Sequence, residues 1–319
     1  MTLTDSTIRR ESAAIEYRRV QPPQAGGAKR EFSLSRAAVF GFLFFYSILV
    51  VFPIFWLFYS SLKLDRDIFL TPFKLPDSLH FENFRNAWVN AHFRDFFLNS
   101  VVVTIATVIA TTMLAAMTAY AVSRFRFPMA KPILFYFLAG LMIPLQLAIV
   151  PLFFQLKQME LLNSRIGLFW VYLAFGFPFS VFILSGFFKT LPASLHESAV
   201  LDGASEWQAF CHVMLPLARP GLITVAIFLF LGNWNEFFVA FITMTGKPPD
   251  EMVHGLARFA GEPRTLPLGL ANITIVANYR SDWGMAFAGL VLMMLPTLIA
   301  YIFLQKHLTK GITAGAIKG

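Results

Sequence analysis

Six stretches of the chain are nearly free of charge and rich in phenylalanine, leucine, isoleucine and valine. They are Ala37 to Phe58, Phe96 to Val122, Pro132 to Leu156, Ile166 to Phe188, Gly221 to Thr245 and Trp283 to Gln305. A helix needs roughly 20 predominantly apolar residues to cross the hydrocarbon core of a bilayer, so each stretch is predicted to be a membrane-spanning helix. Only the fifth carries a charge, Glu236. Pro53, Pro144, Pro151, Pro178 and Pro296 fall inside the stretches. Membrane helices tolerate proline where neighbours satisfy the freed carbonyls, so each span is expected to stay helical, though bent. The predicted fold class is all-α: a polytopic protein with six transmembrane helices.

Between the fourth and fifth stretches the pattern changes. The segment "LHESAVLDGASEWQAFCHVMLPLARP", residues 195–220, mixes polar and apolar positions at helical spacing. Ser194-x-x-Glu197 and Ser205-x-x-Gln208 are spaced as capping boxes, one at the start of each of two short helices. Gly203 stands where a left-handed residue ends the first, and Pro216 and Pro220 close the second and set the entry to the fifth span. Helices this short are marginal alone in water and need packing partners. Trp207, Phe210, Cys211 and Met214 recur at i, i+3, i+4 and i+7, giving the second arm an apolar stripe. Two counterparts fit that stripe: the ends of the protein's own spans, or a groove on another protein. The turn from Glu197 to Ser205 is expected to face solvent.

Charge supplies the orientation. The composition, 57% hydrophobic and 14% charged with a net charge of +8, is that of a membrane protein. Its excess of basic residues reads as the bias toward lysine and arginine in cytoplasmic loops, not as a nucleic-acid surface. Arg9, Arg10, Arg18, Arg19, Lys29, Arg30 and Arg36 precede the first span, and Arg124, Arg126 and Lys131 form an acid-free loop after the second. Lys306, Lys310 and Lys318 follow the sixth, whereas the other loops mix signs. Both termini and the two-armed module are therefore expected in the cytoplasm. The predicted organisation is a basic tail over residues 1–36, a six-span domain over 37–305 with its loop at 190–220, and a second tail over 306–319. The first tail is too long before its apolar stretch to read as a signal peptide. Phe81, Phe84 and Trp88 in "FENFRNAW" form an apolar helical stripe expected to lie along the membrane surface.

"ESAVLDGASEWQAFCHVMLPLARP" resembles the coupling loop of ABC-transporter permease subunits, a glutamate-alanine-alanine motif followed by glycine and then leucine-proline. Glu197, Ala199, Asp202, Gly203, Ala204, Leu215 and Pro216 fall on that pattern, and Ser198 departs from it where alanine is usual. "NWNEFFVAFI" (residues 233–242), "TLPLGLA" (265–271) and "KGITAGAIKG" (310–319) are similar to the carbohydrate-uptake branch, the maltose-type second permease. The resemblance implies ATP-driven import of a sugar, oligosaccharide or polyol across a bacterial inner membrane. It implies as partners a second, different permease chain, two ATPase subunits and an extracytoplasmic solute-binding protein. On it, Glu197, Ser198, Ala199, Asp202, Gly203, Ala204, Ser205, Trp207, Phe210, Leu215 and Pro216 couple to the ATPase, and the tail with Gly311, Gly315 and Gly319 lies against it.

No GxxxxGK[ST] phosphate loop is present: "MTGKPP" lacks the upstream glycine and the hydroxyl residue. ATP and Mg are therefore expected on partner subunits, with no cofactor, metal site or catalytic residue in this chain. The six histidines have no ligand spacing. Asn233, Trp234, Asn235 and Glu236 form a polar patch within the fifth span, where a lipid-facing carboxylate is costly. They read equally as a substrate path or as an interface with the second permease. The rival function is a secondary transporter using Glu236 as an ion or proton relay. By composition alone, the glycines of the tail disfavour a helical extension of the sixth span.

Overall fold

The computed structural model describes residues 34–244, 263–271, 274 and 282–316, and among these it contains helix and no strand. The chain divides into two compact units, Met1–Ile54 and Phe55–Gly319. The first contributes most of α1 (Leu34–Ser60), an apolar helix that contains Pro53.

In the second unit, α4 (Phe93–Arg124) packs most extensively against α7 (Arg165–Thr190). Thr104, Thr107, Thr111, Ala115 and Ala119 are buried along α4. Small side chains let helix backbones approach closely where lipid supplies no hydrophobic drive for association. α11 (Arg219–Trp234) packs against α4, α7 and α13 (Trp283–Ala316). Among the described residues, buried clusters lie between these helices around Tyr120, Phe188, Phe210 and Met214, around Phe93, Phe96, Trp234 and Leu266, and around Leu168, Tyr172, Val239 and Leu268.

Four helices among the described residues are long and apolar enough to cross a membrane: Ala37–Ser60 within α1, α4, α7, and Trp283–Gln305 within α13. The third and fifth predicted spans are not single helices. α5 (Ala130–Leu141) and α6 (Leu145–Gln158) meet at 99°. Pro144 lies between them with extended backbone (φ −60°, ψ 131°). Its ring disfavours helical geometry at Ile143 and it has no N–H to donate, so here proline breaks the helix. Pro53, Pro151, Pro178 and Pro296 do sit inside helices. The fifth stretch ends as α11 at Trp234 and restarts as α12 (Phe238–Thr243).

Two further expectations are corrected. α13 continues through Gly311 and Gly315 to Ala316. Extending an existing helix avoids the cost of nucleation, which outweighs about 1 kcal/mol per glycine; Gly319 lies outside the described residues. In "FENFRNAW", α3 (Glu82–Arg85) runs into a π-helical turn, Asn86–Asn90. There Phe84 and Trp88 pack onto the Phe93–Phe96 cluster, so they cover the protein core rather than a membrane surface, and Phe81 remains exposed.

A polar cluster follows the end of α1. Lys63 is buried, and its Nζ donates to the carbonyls of Thr71 (2.8 Å) and Pro72 (3.3 Å) from a position 5.0 Å over the Tyr59 ring. Burial lowers the pKa of Lys63, and the nearby Asp67 and Asp77 carboxylates oppose the shift. Asp65, first residue of α2 (Asp65–Leu70), accepts a hydrogen bond from Gly284 N (2.7 Å) at the start of α13. Burial raises its pKa, and that backbone hydrogen bond opposes the rise.

Candidate functional site

The two-armed module begins as the chain leaves α7. α8 (Ala193–Leu201) has Pro192 at its N-cap and no side-chain cap. The expected Ser194 box is therefore absent: the cap falls two residues earlier, at Pro192, and Ser194 sits inside the first turn. The arm ends as predicted, with Gly203 at φ +89°. Gly203 N donates to Val200 O (3.0 Å) and Ala204 N to Ala199 O (3.0 Å). A Cβ on Gly203 would meet open space, so only its left-handed backbone demands glycine.

The second arm opens with the capping box that the sequence predicts. Gln208 N donates to Ser205 Oγ (3.3 Å), and Ser205 N donates to Gln208 Oε1 (2.8 Å). α9 (Glu206–Gln208) then passes through a π-helical turn, Ala209–Met214, into α10 (Leu215–Leu217). The arm meets α11 at 74°, with Pro216 and Pro220 in the first turns of α10 and α11. His196 Nε2 and Glu206 Oε2, 2.8 Å apart, tie the arms together.

The apolar stripe serves two surfaces. Phe210 and Met214 are buried against Tyr120, Phe188 and Val225, and Cys211 and Leu215 pack beside them. Phe210 is thus withdrawn from the partner-facing set: its ring lies 5.0 Å from that of Tyr120. Trp207 remains 60% exposed. Glu197, Ser198, Asp202, Ser205 and Pro216 are exposed, and Ala199 and Ala204 are half-buried. Leu201 lies off the family motif, yet it is 87% exposed beside the turn. Its place next to Asp202-Gly203 is the one signal of this in the sequence, since that turn is expected to face solvent.

The polar patch of the fifth stretch is a helix break. Glu236 Oε1 accepts from Val239 N (2.8 Å), and Oε2 accepts from Ala240 N (3.1 Å) and from the Tyr172 hydroxyl (2.9 Å). A carboxylate receiving the first free N–H groups of a helix compensates both its own burial and theirs. Trp234 is buried and donates from Nε1 to Met293 O (3.3 Å). Asn235 is exposed and donates back to Leu231 O (2.8 Å). Asn233 Nδ2 has no hydrogen-bond partner among the described residues.

Beside the break runs a second buried segment, 264–271. Asn99 Nδ2 donates to Arg264 O (2.9 Å), and Ser100 Oγ accepts from Leu266 N (2.8 Å). A Cβ on Gly269 would lie 2.1 Å from the Phe96 ring, so the segment passes α4 at glycine distance. Leu268 packs with Val239 and Ala240 of α12. The roles of Tyr172, Asn99 and Ser100 are not legible in the sequence, because a polar residue on an apolar helix does not disclose its partner.

The described residues thus form a helical bundle with interrupted apolar helices and an exposed two-armed module. Residues 111–314 match the family of binding-protein-dependent transport system inner membrane components, and the chain belongs to that family. It is 40% identical over 276 residues to the diacetylchitobiose uptake system permease protein NgcG of Streptomyces coelicolor, covering 86% of this chain and 87% of that one. It is 30% identical over 267 residues to the trehalose transport system permease protein SugB of Mycobacterium tuberculosis, covering 84% and 92%. The fold matches that of a chain from a bacterial ABC transporter involved in import of the acidic polysaccharide alginate. The TM-score is 0.71 at 20% identity, over 90% of this chain and 99% of that one. Family membership favours the importer over the ion-relay reading of Glu236, whose carboxylate oxygens are engaged in holding α12.

Proposed function

We propose that the chain is one permease of an ATP-driven importer for a sugar or oligosaccharide, paired with a second, different permease chain, two ATPase subunits and an extracytoplasmic solute-binding protein. Counting α5 with α6 as one crossing, and α11 with α12 as another, leaves the second arm outside the membrane. That gives six spans, with both termini and the module on the cytoplasmic side of the inner membrane. Glu197, Ser198, Leu201, Asp202 and Trp207 face the ATPase, and the tail with Gly311, Gly315 and Gly319 lies against it. ATP and Mg are held by those subunits. Asn233 and Asn235, at the break in the fifth span, face the solute path or the second permease.

One observation carries the proposal: the module is braced from within by Phe210 and Met214 while Leu201 and Trp207 stay in the open. An amphipathic element with a buried inner face and exposed apolar anchors is suited to dock in a partner groove. The sugar class rests on the relatives, which include permeases of diacetylchitobiose and trehalose uptake systems. To test the docking, Ala204→Cys is combined with Cys211→Ser and cross-linked to cysteines along the ATPase groove. Nucleotide-dependent cross-linking supports it. No cross-link at any groove position, in a complex that still transports, overturns it.

A further inference from the structure

At the module end of the bundle, Arg124 closes α4 with a side chain that reaches another helix. Its Nη2 donates to the carbonyls of Phe188 (2.7 Å) and Leu191 (2.6 Å). These belong to the last turn of α7, whose final carbonyls have no partner within the helix. A guanidinium there supplies charge-assisted hydrogen bonds and matches the negative end of the helix dipole. Leu191 is the C-cap of α7 and Pro192 the N-cap of α8, so Arg124 grips the joint where a span becomes the module.

One turn earlier, Tyr120 centres a cluster of rings from three elements. Its ring lies 5.6 Å from Phe188 of α7, 6.0 Å from His196 of the first arm and 5.0 Å from Phe210 of the second. The Tyr120 hydroxyl has no hydrogen-bond partner among the described residues, so its contribution is that of the ring.

We infer that Arg124, backed by Tyr120, is the positioning residue that keeps α4 in register with α7 when the module moves; this rests on the coupling role proposed above. α7 and α11 are continuous with the module, but α4 is not and must be carried by contacts alone. Between Val103 and Tyr120 its buried face is built from small side chains, among them Thr104, Thr107, Thr111, Ala115 and Ala119. Faces this smooth permit the small sliding between packed helices by which shear motions proceed. Two hydrogen bonds from one fixed guanidinium to two carbonyls at the joint prevent that slip.

The test uses the assembled complex with Cys211→Ser and spin labels at Arg94→Cys on α4 and Ile166→Cys on α7. The label separation is measured without nucleotide and with ATP plus vanadate. With Arg124 present, one separation is expected in both states. Arg124→Gln should give two, and should lower diacetylchitobiose uptake per ATP hydrolysed at least tenfold while ATPase subunits co-purify at wild-type stoichiometry. Arg124→Lys should recover part of the loss, and Tyr120→Phe should change nothing. The label readout needs no solute, so it stands if diacetylchitobiose is not the cargo. A single unchanged separation in Arg124→Gln overturns the inference. So does failure of both Arg124 variants to accumulate in the membrane, which assigns the residue to folding. Failure of the wild-type chain to bind any ATPase subunit instead overturns the coupling role beneath it.

Discussion

Glu236→Ala isolates the helix break from the transport chemistry around it. The substitution removes the acceptor of three hydrogen bonds, those from Val239 N, Ala240 N and the Tyr172 hydroxyl. Val239, Ala240 and Tyr172 are buried, and a buried donor left without a partner costs about 1–3 kcal/mol. Relief from burying a carboxylate offsets part of that sum, leaving a net loss of about 2–5 kcal/mol. A loss of that size lowers a melting midpoint by on the order of 10 °C. Glu236→Gln keeps the shape and one oxygen acceptor, so it should lose only about 1–2 kcal/mol and retain transport, as a proton relay could not. Tyr172→Phe removes a donor without orphaning a backbone group and should be the mildest of the three. The measurement is fluorescence-detected size-exclusion after heating the detergent-solubilised complex, with uptake assayed in parallel. A wild-type midpoint for Glu236→Ala would refute the capping role, and abolished uptake in a stable Glu236→Gln complex would restore the relay.

Gly203→Val should cost roughly 1–2 kcal/mol of backbone strain, and ATPase co-purification should fall while membrane insertion is kept; wild-type co-purification contradicts this. Phe210→Ala and Trp207→Ala should separate the two faces of one arm. The first should destabilise the permease alone by about 3–5 kcal/mol; the second should leave its melting unchanged and weaken ATPase binding by about 1–2 kcal/mol, read by titrating the purified ATPase. Deleting residues 311–319 should weaken ATPase association and leave pairing with the second permease intact, which pull-down from membranes measures.

Where a structural cause is local in sequence, the pattern of residues discloses it. Gly203 and the Ser205–Gln208 box follow from short-range backbone chemistry, and both stand as predicted. The Ser194 box fails for the same kind of reason, because Pro192 claims the helix start. The four long spans are legible because hydropathy over about 20 residues is a strong signal. The interruptions are not, since hydropathy averages across them: Ile143-Pro144 and Asn235-Glu236-Phe237 sit in windows whose mean stays apolar. Five prolines look alike in apolar sequence, yet only Pro144 ends a helix.

The break at Glu236 shows why burial of a charge is a poor guide to its role. From sequence, a carboxylate among apolar residues suggests ion chemistry, because its cost demands a compensating gain. The structure supplies that gain in the backbone. Restarting the helix at Phe238 frees N–H groups that no lipid can satisfy, and the carboxylate two residues before it answers the need at the start of α12. The charge and the break therefore explain each other, and neither requires a proton to move. Irregular backbone at this depth is tolerated only where protein or a water-filled cavity surrounds it. The inner side of the break is occupied by Tyr172 and by the 264–271 segment held from Asn99 and Ser100. Asn235 stays exposed, and the Asn233 amide is unpaired among the described residues, so any polar demand left at this break falls on the asparagines rather than on the acid.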